Sequence, residues 1–243
     1  MILSSDILKT LNLFSDTSED ENLLVIQNSH VRHFKPEEIV YNREDLAKNF
    51  YIILEGIIEI SRENISGQKI MSEILIKGDV LAFDEITSID PTYQYTARTI
   101  TNSSLIEIDA IWIQNHLSDF NNLTPKLFGS ILKKLQQIRL EIEQSSSMET
   151  SQIVACHLKK LCIDHKLNPF GFMLPYSKTL MASRLHITLE AFSRSLRKLK
   201  SYGIQVTGRH VSFININKSR RFVCDQCPIS KNCTAYKHLH SFH

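Results

Sequence analysis

The sequence predicts an α+β fold in which a sheet-forming half precedes a helical half, and two observations carry that expectation. From Val31 to Asp109 the runs "YIILEGIIEISREN", "QKIMSEILIKGDVLAF", "YQYTARTI" and "SLIEIDAIWI" are short, β-branched and separated by Gly, Asn, Asp and Pro. That pattern suggests about eight consecutive antiparallel strands with tight turns at Gly56, Gly67 and Gly78. After Pro125 the period changes. Leu127, Ile131, Leu135, Ile138 and Ile142 recur at three and four residues, which is one apolar stripe on a long helix. Such a stripe either packs on its own domain or pairs with its twin in a second copy.

The remaining elements follow from local signals. "SSDILKTLNLF" and "SEDENLLVIQNSH" each place a Ser or Asp to cap a helical apolar spacing, so the first thirty residues read as helices. The run Ser145 to Ser147 is expected to break the long helix and act as a hinge. Beyond it, "TSQIVACHLKKLCIDHK" reads as a helix, "FGFMLP" as a short strand, and "GIQVTGRHVSFININ" as a β-hairpin turning around Thr207, Gly208 and Arg209. Four segments result: 1–120, 121–148, 149–217 and a Cys-rich tail over 218–243.

Composition narrows the function. The chain has 243 residues, 42% hydrophobic and 22% charged, enough for two folded domains and unlike a disordered chain. No apolar run reaches membrane length, and residues 1–24 lack a basic start followed by an apolar core, so a cytoplasmic location is expected. The net charge of +2 is small but unevenly placed: between Lys178 and Arg221 the only acidic residue is Glu190. A basic C-terminal part attracts phosphates.

"YSKTLMASRLHITLEAFSRSLRKLKSYG" splits into two helices around "LHIT", the first from about Ser177 to Leu185 and the second capped by Thr188. In the second, Leu189, Phe192, Leu196 and Leu199 are expected to face the core, leaving Glu190, Ser193 and Arg194 outward. Two short helices, a tight turn and a basic hairpin make the layout of a winged helix-turn-helix.

Over "LPYSKTLMASRLHITLEAFSRSLRKLKSYGIQVTGRHVSFI" the chain resembles the DNA-binding end of the CRP/FNR family of bacterial transcription regulators. Upstream, "FYIILEGIIEI" and "GQKIMSEILIKGDVLAF" resemble that family's cyclic-nucleotide-binding-like β-roll, and residues 125–148 its dimerisation helix. Glu190, Ser193 and Arg194 match the E-x-x-S-R of the FNR and denitrification-regulator branches. The resemblance implies a homodimer paired through 121–148 that reads double-stranded DNA palindromes with TTGAT-type half-sites, and contact with RNA polymerase if it activates. The chemistry suits these residues. Arg donates two hydrogen bonds to guanine, Glu accepts from cytosine N4, and Ser meets a base edge or thymine methyl. Ser177, Lys178, Thr188, Arg197 and Arg209 are placed for the phosphate backbone. His186 stands in the turn where the family usually carries Gly.

Family sensors of the CRP type hold cyclic AMP with a carboxylate after the Gly-Asp turn and an Arg-Ser pair. Alignment on Gly78 and Asp79 puts Phe83 at the carboxylate position, with Asp84 and Glu85 beside it, and Tyr93 and Gln94 stand where Arg and Ser belong. A cyclic phosphate without a cation is poorly compensated, so cyclic AMP is not expected as effector. The similar denitrification branch implies a nitric oxide or other redox signal, in studied members through haem, for which His30, His33 and His116 are the possible ligands.

Five cysteines are present, none before Cys156, and "CDQCPISKNC" sets Cys224, Cys227 and Cys233 as C-x2-C-x5-C. In a chain without a secretion signal that spacing suggests metal chemistry, either a [4Fe–4S] cluster or zinc. A fourth ligand is needed, from His238, His240, a carboxylate, Cys156 or Cys162. Cys156 and Cys162, six apart on one helix, point to different faces. A subset of FNR relatives carries its cluster on C-terminal cysteines, and this tail is similar in kind. The rival reading, a thiol oxidoreductase using Cys224 and Cys227, lacks the βαβ setting such enzymes need. The expectation is therefore a regulator and not an enzyme.

Overall fold

In the computed structural model, residues 2–67, 69–164, 168, 170–225, 227, 228, 230 and 233 are described. The chain divides into two compact units, Met1–Lys133 and Lys134–His243. The division falls inside the long helix, not at the serine run.

The first unit opens with α1 (Ser5–Lys9) and α2 (Glu19–Gln27). Ser18 and Glu21 form a reciprocal capping box on α2, so two otherwise orphaned amides are satisfied at its start. Eight strands follow: β1 (Ser29–Phe34), β2 (Ile39–Tyr41), β3 (Asn49–Glu55), β4 (Ile57–Glu63), β5 (Lys69–Ile76), β6 (Val80–Leu81), β7 (Thr96–Thr99) and β8 (Ser103–Asp109). A short helix, α3 (Phe83–Ile86), interrupts them, and α4 (Ala110–His116) closes the set.

The strand number agrees with the sequence pattern, but the pairing is not a meander. One sheet runs β1-β8-β3-β6 and the other β2-β7-β4-β5, so β3 and β4, neighbours in sequence, belong to different sheets. Phe50, Ile52, Ile53, Ile58, Leu105 and Ile106 fill the interior, and Ile52 stands opposite Ile106 in the β3/β8 register. Gly56 makes the change of sheet possible. Its φ is +101°, and a Cβ there would lie 2.1 Å from Ser103 Oγ, so a side chain would be both strained and in collision.

The long helix α5 spans Leu123–Ser147. Its first amides, those of Asn122 and Leu123, donate to Glu21 Oε1 at 2.7 and 3.4 Å. Burial opposes the charge on Glu21, but the N–H donors of Asn122, Ser18 and Leu123 hold its carboxyl below the usual range. Ser145, Ser146 and Ser147 do not break this helix. Their hydroxyls donate back to the carbonyls of Ile142 and Glu143, so the run stays helical and the helix ends only after it.

The second unit adds α6 (Thr150–Asp164), β9 (Phe172–Met173), α7 (Lys178–Arg184), α8 (Leu189–Leu199), β10 (Ile204–Thr207), β11 (His210–Phe213) and α9 (Ile216–Cys224). Strands pair in the order β10-β11-β9. α9 departs from the expected tail. Asn215 caps it, its side chain accepting from the Lys218 amide. Phe222 stacks on Tyr202 at 3.7 Å between ring centroids, so the segment up to Cys224 is packed helix.

Candidate functional site

Three places gather chemistry-bearing side chains: the exposed side of α8, the interior of the roll, and a group of thiols beside α6.

α8 begins where Thr188 Oγ1 accepts from the Ala191 amide at 3.1 Å, and α7 begins on the matching Ser177 cap. Between them His186 takes φ +53°, a conformation that costs an L-residue roughly 1 kcal/mol and that Gly adopts freely. The helix is held by Phe192, Ser195 and Leu199, all buried. Leu189, expected in that stripe, is 45% exposed because it is the first residue of the helix and overhangs the core. Ser195 takes the inward place and donates its hydroxyl to the Ala191 carbonyl, so a polar residue is buried without an orphaned group.

Glu190, Arg194 and Arg197 are exposed and Ser193 is half-buried, at helical positions that share one side of α8. Lys198 is drawn aside into an ion pair with Glu149 at 2.7 Å. Lys178 is half-buried at the start of α7. Behind α8 the hairpin β10–β11 turns at Gly208, and Arg209 donates from Nη2 to the Leu174 carbonyl at 2.7 Å. That bond anchors the wing and leaves the other guanidinium hydrogens outward.

In the roll, Gly78 has φ +90° and its amide donates to the Ile53 carbonyl, closing the Gly-Asp turn onto β3. Ala82 sits at φ +63° and Phe83 turns inward, buried edge-on against Phe50. Asp84 faces solvent, whereas Glu85 is buried and its Oε2 has no hydrogen-bond partner among the described residues. Tyr93 is buried in a stack with Tyr41, ring centroids 3.9 Å apart, and Tyr41 stacks in turn on Tyr51. The Tyr93 hydroxyl donates to the Asn49 carbonyl and the Tyr51 hydroxyl to Glu107. Gln94 points away, its amide bonded to the Thr92 carbonyl. Burial and nearby carboxylates push the Tyr41 and Tyr51 phenols well above their usual range, so they stay neutral.

The possible haem ligands are dispersed. His33 Nδ1 lies 2.9 Å from Ser104 Oγ, His116 Nδ1 lies 2.8 Å from the Trp112 carbonyl, and His30 is exposed on β1.

The thiols are gathered. Gln144, from the last turn of α5, is buried and donates from Nε2 toward Cys156 Sγ at 3.7 Å and Cys227 Sγ at 3.5 Å. After α9 the chain folds back twice, the Cys227 amide onto the Cys224 carbonyl and the Ser230 amide onto that of Cys227. The Cys233 amide then bonds the Ser230 carbonyl. Cys156 feels Cys233, Cys227 and Cys224 electrostatically, although burial is what mainly raises it, to about 11. Among the described residues no three candidate ligands already surround one point closely enough for a single ion. His238 and His240 lie outside the described residues.

Sequence reading missed two features here. Lys159 is buried at 3% exposure with no hydrogen-bond partner for Nζ among the described residues, beside Cys224 and Cys156. Its signal was available: Lys159 follows Ala155 by four residues, so the charge falls on the apolar stripe of α6. Arg184, at the end of α7, donates from Nη2 to both carboxylate oxygens of Glu141 on α5 at 3.1 Å. Burial works against the Glu141 charge, but Arg184 and the amide of Gln137 keep its carboxyl below the ordinary range.

Residues 31–117 match the family of cyclic nucleotide-binding domains. The chain is 23% identical over 189 residues to the anaerobic regulatory protein of Haemophilus influenzae, covering 74% of this chain and 71% of that one. It is 21% identical over 174 residues to the nitrogen fixation regulation protein FixK of Bradyrhizobium diazoefficiens, covering 70% and 72%. Among solved structures it resembles a CooA mutant from Carboxydothermus hydrogenoformans with a TM-score of 0.70 at 15% identity, over 92% of this chain and 98% of that one. Both relatives are regulatory proteins by name, so the comparisons lend the oxidoreductase reading of Cys224 and Cys227 no support. No helix among the described residues is long and apolar enough to cross a membrane. Residues 31–117 thus belong to a cyclic nucleotide-binding domain, and in fold the chain is similar to regulators of the CRP/FNR type, a β-roll, a long helix and a winged helix-turn-helix.

Proposed function

We propose that the chain is a homodimeric transcription regulator that reads TTGAT-type palindromes with α8 and takes a redox or gas signal through a metal at its C-terminal cysteines. The carrying observation is the outward side of α8, where Glu190, Ser193 and Arg194 share one face just beyond the capped turn. These are a carboxylate, a hydroxyl and a guanidinium, the three groups that read cytosine, a thymine methyl or base edge, and guanine in a major groove. Ser177, Lys178, Thr188, Arg197 and Arg209 surround them as phosphate contacts that set register. RNA polymerase becomes a partner where the bound site activates.

Pairing rests on α5. Phe128, Ile131, Leu132, Leu135, Ile138 and Ile142 are all at least 36% exposed, an apolar seam with three- and four-residue gaps. Leu127, counted in that stripe by spacing, is buried in the first unit instead. A seam of this size in water is covered by a partner with the same spacing, and two such helices meet in a parallel pair.

The roll is poorly suited to a cyclic phosphate. Phe83 and Tyr93 fill the positions of the carboxylate and the guanidinium, the buried ionisable groups around them, Tyr41, Tyr51 and Glu85, are not cations, and Arg32 is already paired with the half-buried Glu107 at 3.1 Å. Burial and the adjacent Asp84 carboxyl raise Glu85 from 4.5 to about 7. In the unfolded chain it ionises near its usual value, so between those two pH values only the folded chain holds the proton. Stability from this group is complete at acid pH and is lost as pH rises through about 7.

Four outcomes are expected. Arg194→Ala lowers affinity for a TTGAT-type palindrome by about 1 to 3 kcal/mol in fluorescence anisotropy, and leaves binding to unrelated DNA nearly unchanged. An equal loss on both DNAs would reassign Arg194 to the phosphates. Ile138→Glu turns a dimer into a monomer in sedimentation equilibrium, and a wild-type chain that sediments as a monomer refutes the seam. Glu85→Gln stabilises the chain at pH 8, by up to about 3 kcal/mol in urea denaturation, and has little effect at pH 4. Calorimetric titration with cyclic AMP gives no binding heat, and micromolar binding overturns this account of the pocket.

A further inference from the structure

We propose that Cys156, on α6, is the fourth thiolate of an iron–sulfur site completed by Cys224, Cys227 and Cys233; the proposal deepens the metal reading above and rests on it.

Cys156 and Cys227 lie on either side of one amide nitrogen, Gln144 Nε2, at 3.7 and 3.5 Å, so α6 and the segment after α9 present sulfur to a common point. The two fold-backs between Cys224 and Ser230 turn this segment on itself, and Cys233 acts electrostatically on both Cys156 and Lys159. Cys162 is buried on α6 two turns later and faces elsewhere.

A second observation points to an anionic occupant. Lys159 is buried among these thiols with no hydrogen-bond partner for its ammonium among the described residues. An isolated buried ammonium is costly, and protonated thiols do little to offset it. A four-thiolate cluster is a net anion with sulfurs that accept hydrogen bonds, so it supplies what Lys159 lacks. Gln144 Nε2, already aimed at two sulfurs, adds a neutral donor.

Spacing selects the occupant. A single zinc needs all four sulfurs at about 2.3 Å from one centre, a tighter grouping than sulfurs held 3.7 and 3.5 Å from the Gln144 amide nitrogen. In a four-iron cluster each iron takes one thiolate, so the cage is wider and suits sulfurs separated by a shared amide nitrogen. When bound, such a cluster supplies one-electron chemistry and reactivity toward small oxidants. The protein's part is to hold the four sulfurs, balance the charge with Lys159, and join three elements at one point. Gln144 belongs to α5, Cys156 to α6, and the other thiols to the end of α9 and the segment beyond it. α6 also packs against α8, so loading the cage fixes the helix on which the DNA-reading helix rests.

The test is metal analysis of the full chain purified without oxygen, with iron, acid-labile sulfide and zinc measured per chain beside the visible absorption. The wild type is expected to carry about four irons and matching sulfide. Cys156→Ser and Cys224→Ser are expected to keep less than about a tenth of that iron, and Cys162→Ser all of it. Wild-type iron and absorption in Cys156→Ser would remove Cys156 while leaving a metal site on the last three cysteines. Zinc in place of iron, or no metal in the wild type, overturns the cluster itself. Neither result depends on DNA binding. Should the Cys156 variant fail to fold, Lys159→Met decides: it is expected to raise the urea midpoint of the chelator-stripped chain and to lower iron content, and unchanged iron refutes the proposal.

Discussion

The C-terminal unit is organised around α6, a helix that meets protein on nearly every side. Val154, Ala155, Leu158 and Leu161 are buried, but so are Ser151, Gln152, Cys156 and Lys159. A surface helix shows one apolar stripe; a helix enclosed all round has to satisfy its polar groups inside the fold. Gln152 does so by donating to the Phe222 carbonyl on α9. Enclosure also makes α6 a stiff link, because close-packed interiors repack in discrete steps and do not yield gradually. α8 packs against this helix, with Phe192 and Leu199 buried, so the side of α8 that carries Glu190, Ser193 and Arg194 is placed by where α6 lies.

Two ties connect α5 to the other elements of the second unit. The Arg184 fork on Glu141 is partly shielded, with side-chain exposures of 18% and 32%, and reaches both carboxylate oxygens from one nitrogen. Such a bond is worth more than the exposed Lys198–Glu149 pair, which screening and side-chain entropy reduce to little. The second tie is Gln144, which touches sulfur on α6 and on the segment after α9. α5 is thereby linked at its far end to α7 by one ionic contact and to α6 and the segment after α9 by one amide.

Periodicity made the strands, the long helix and the two short helices legible, since alternation and three-to-four spacing report directly which side is buried. The turn glycines were legible for a different reason: Gly56, Gly67 and Gly78 all take φ between +74° and +101°. Pairing order was not, because β1 meets β8 across roughly seventy to eighty residues, from Phe34↔Ser103 to Ser29↔Ile108, and nothing local encodes that partner. Ser145 to Ser147 misled because serine prefers helix ends, and here packing around Gln144 and Met148 overrides a weak propensity. The stripe on α8 was read one residue wrong at each kind of position: Leu189 lies too near the helix start to be covered, and Ser195 is inward because its hydroxyl is satisfied within its own turn. α9 was passed over as a tail because "KSRRFVC" is rich in charge, although Ser219 and Val223 at four-residue spacing mark its buried side.

The two units differ in how they treat buried charge. In the roll, Tyr41 and Tyr51 stay neutral through burial, the buried Glu59 is paired with Lys69 at 2.7 Å, and burial with Asp84 beside it raises Glu85 to about 7. The tyrosine stack and its hydrogen bonds run among the roll's own residues, while Glu85 Oε2 is left without a partner among the described residues. Around α6 the buried group is a cation. Lys159 has been carried inside without a partner of its own, at a cost that a fold retains only where something offsets it. On the metal reading proposed above, thiolates would supply that counter-charge beside α6, the helix against which α8 packs.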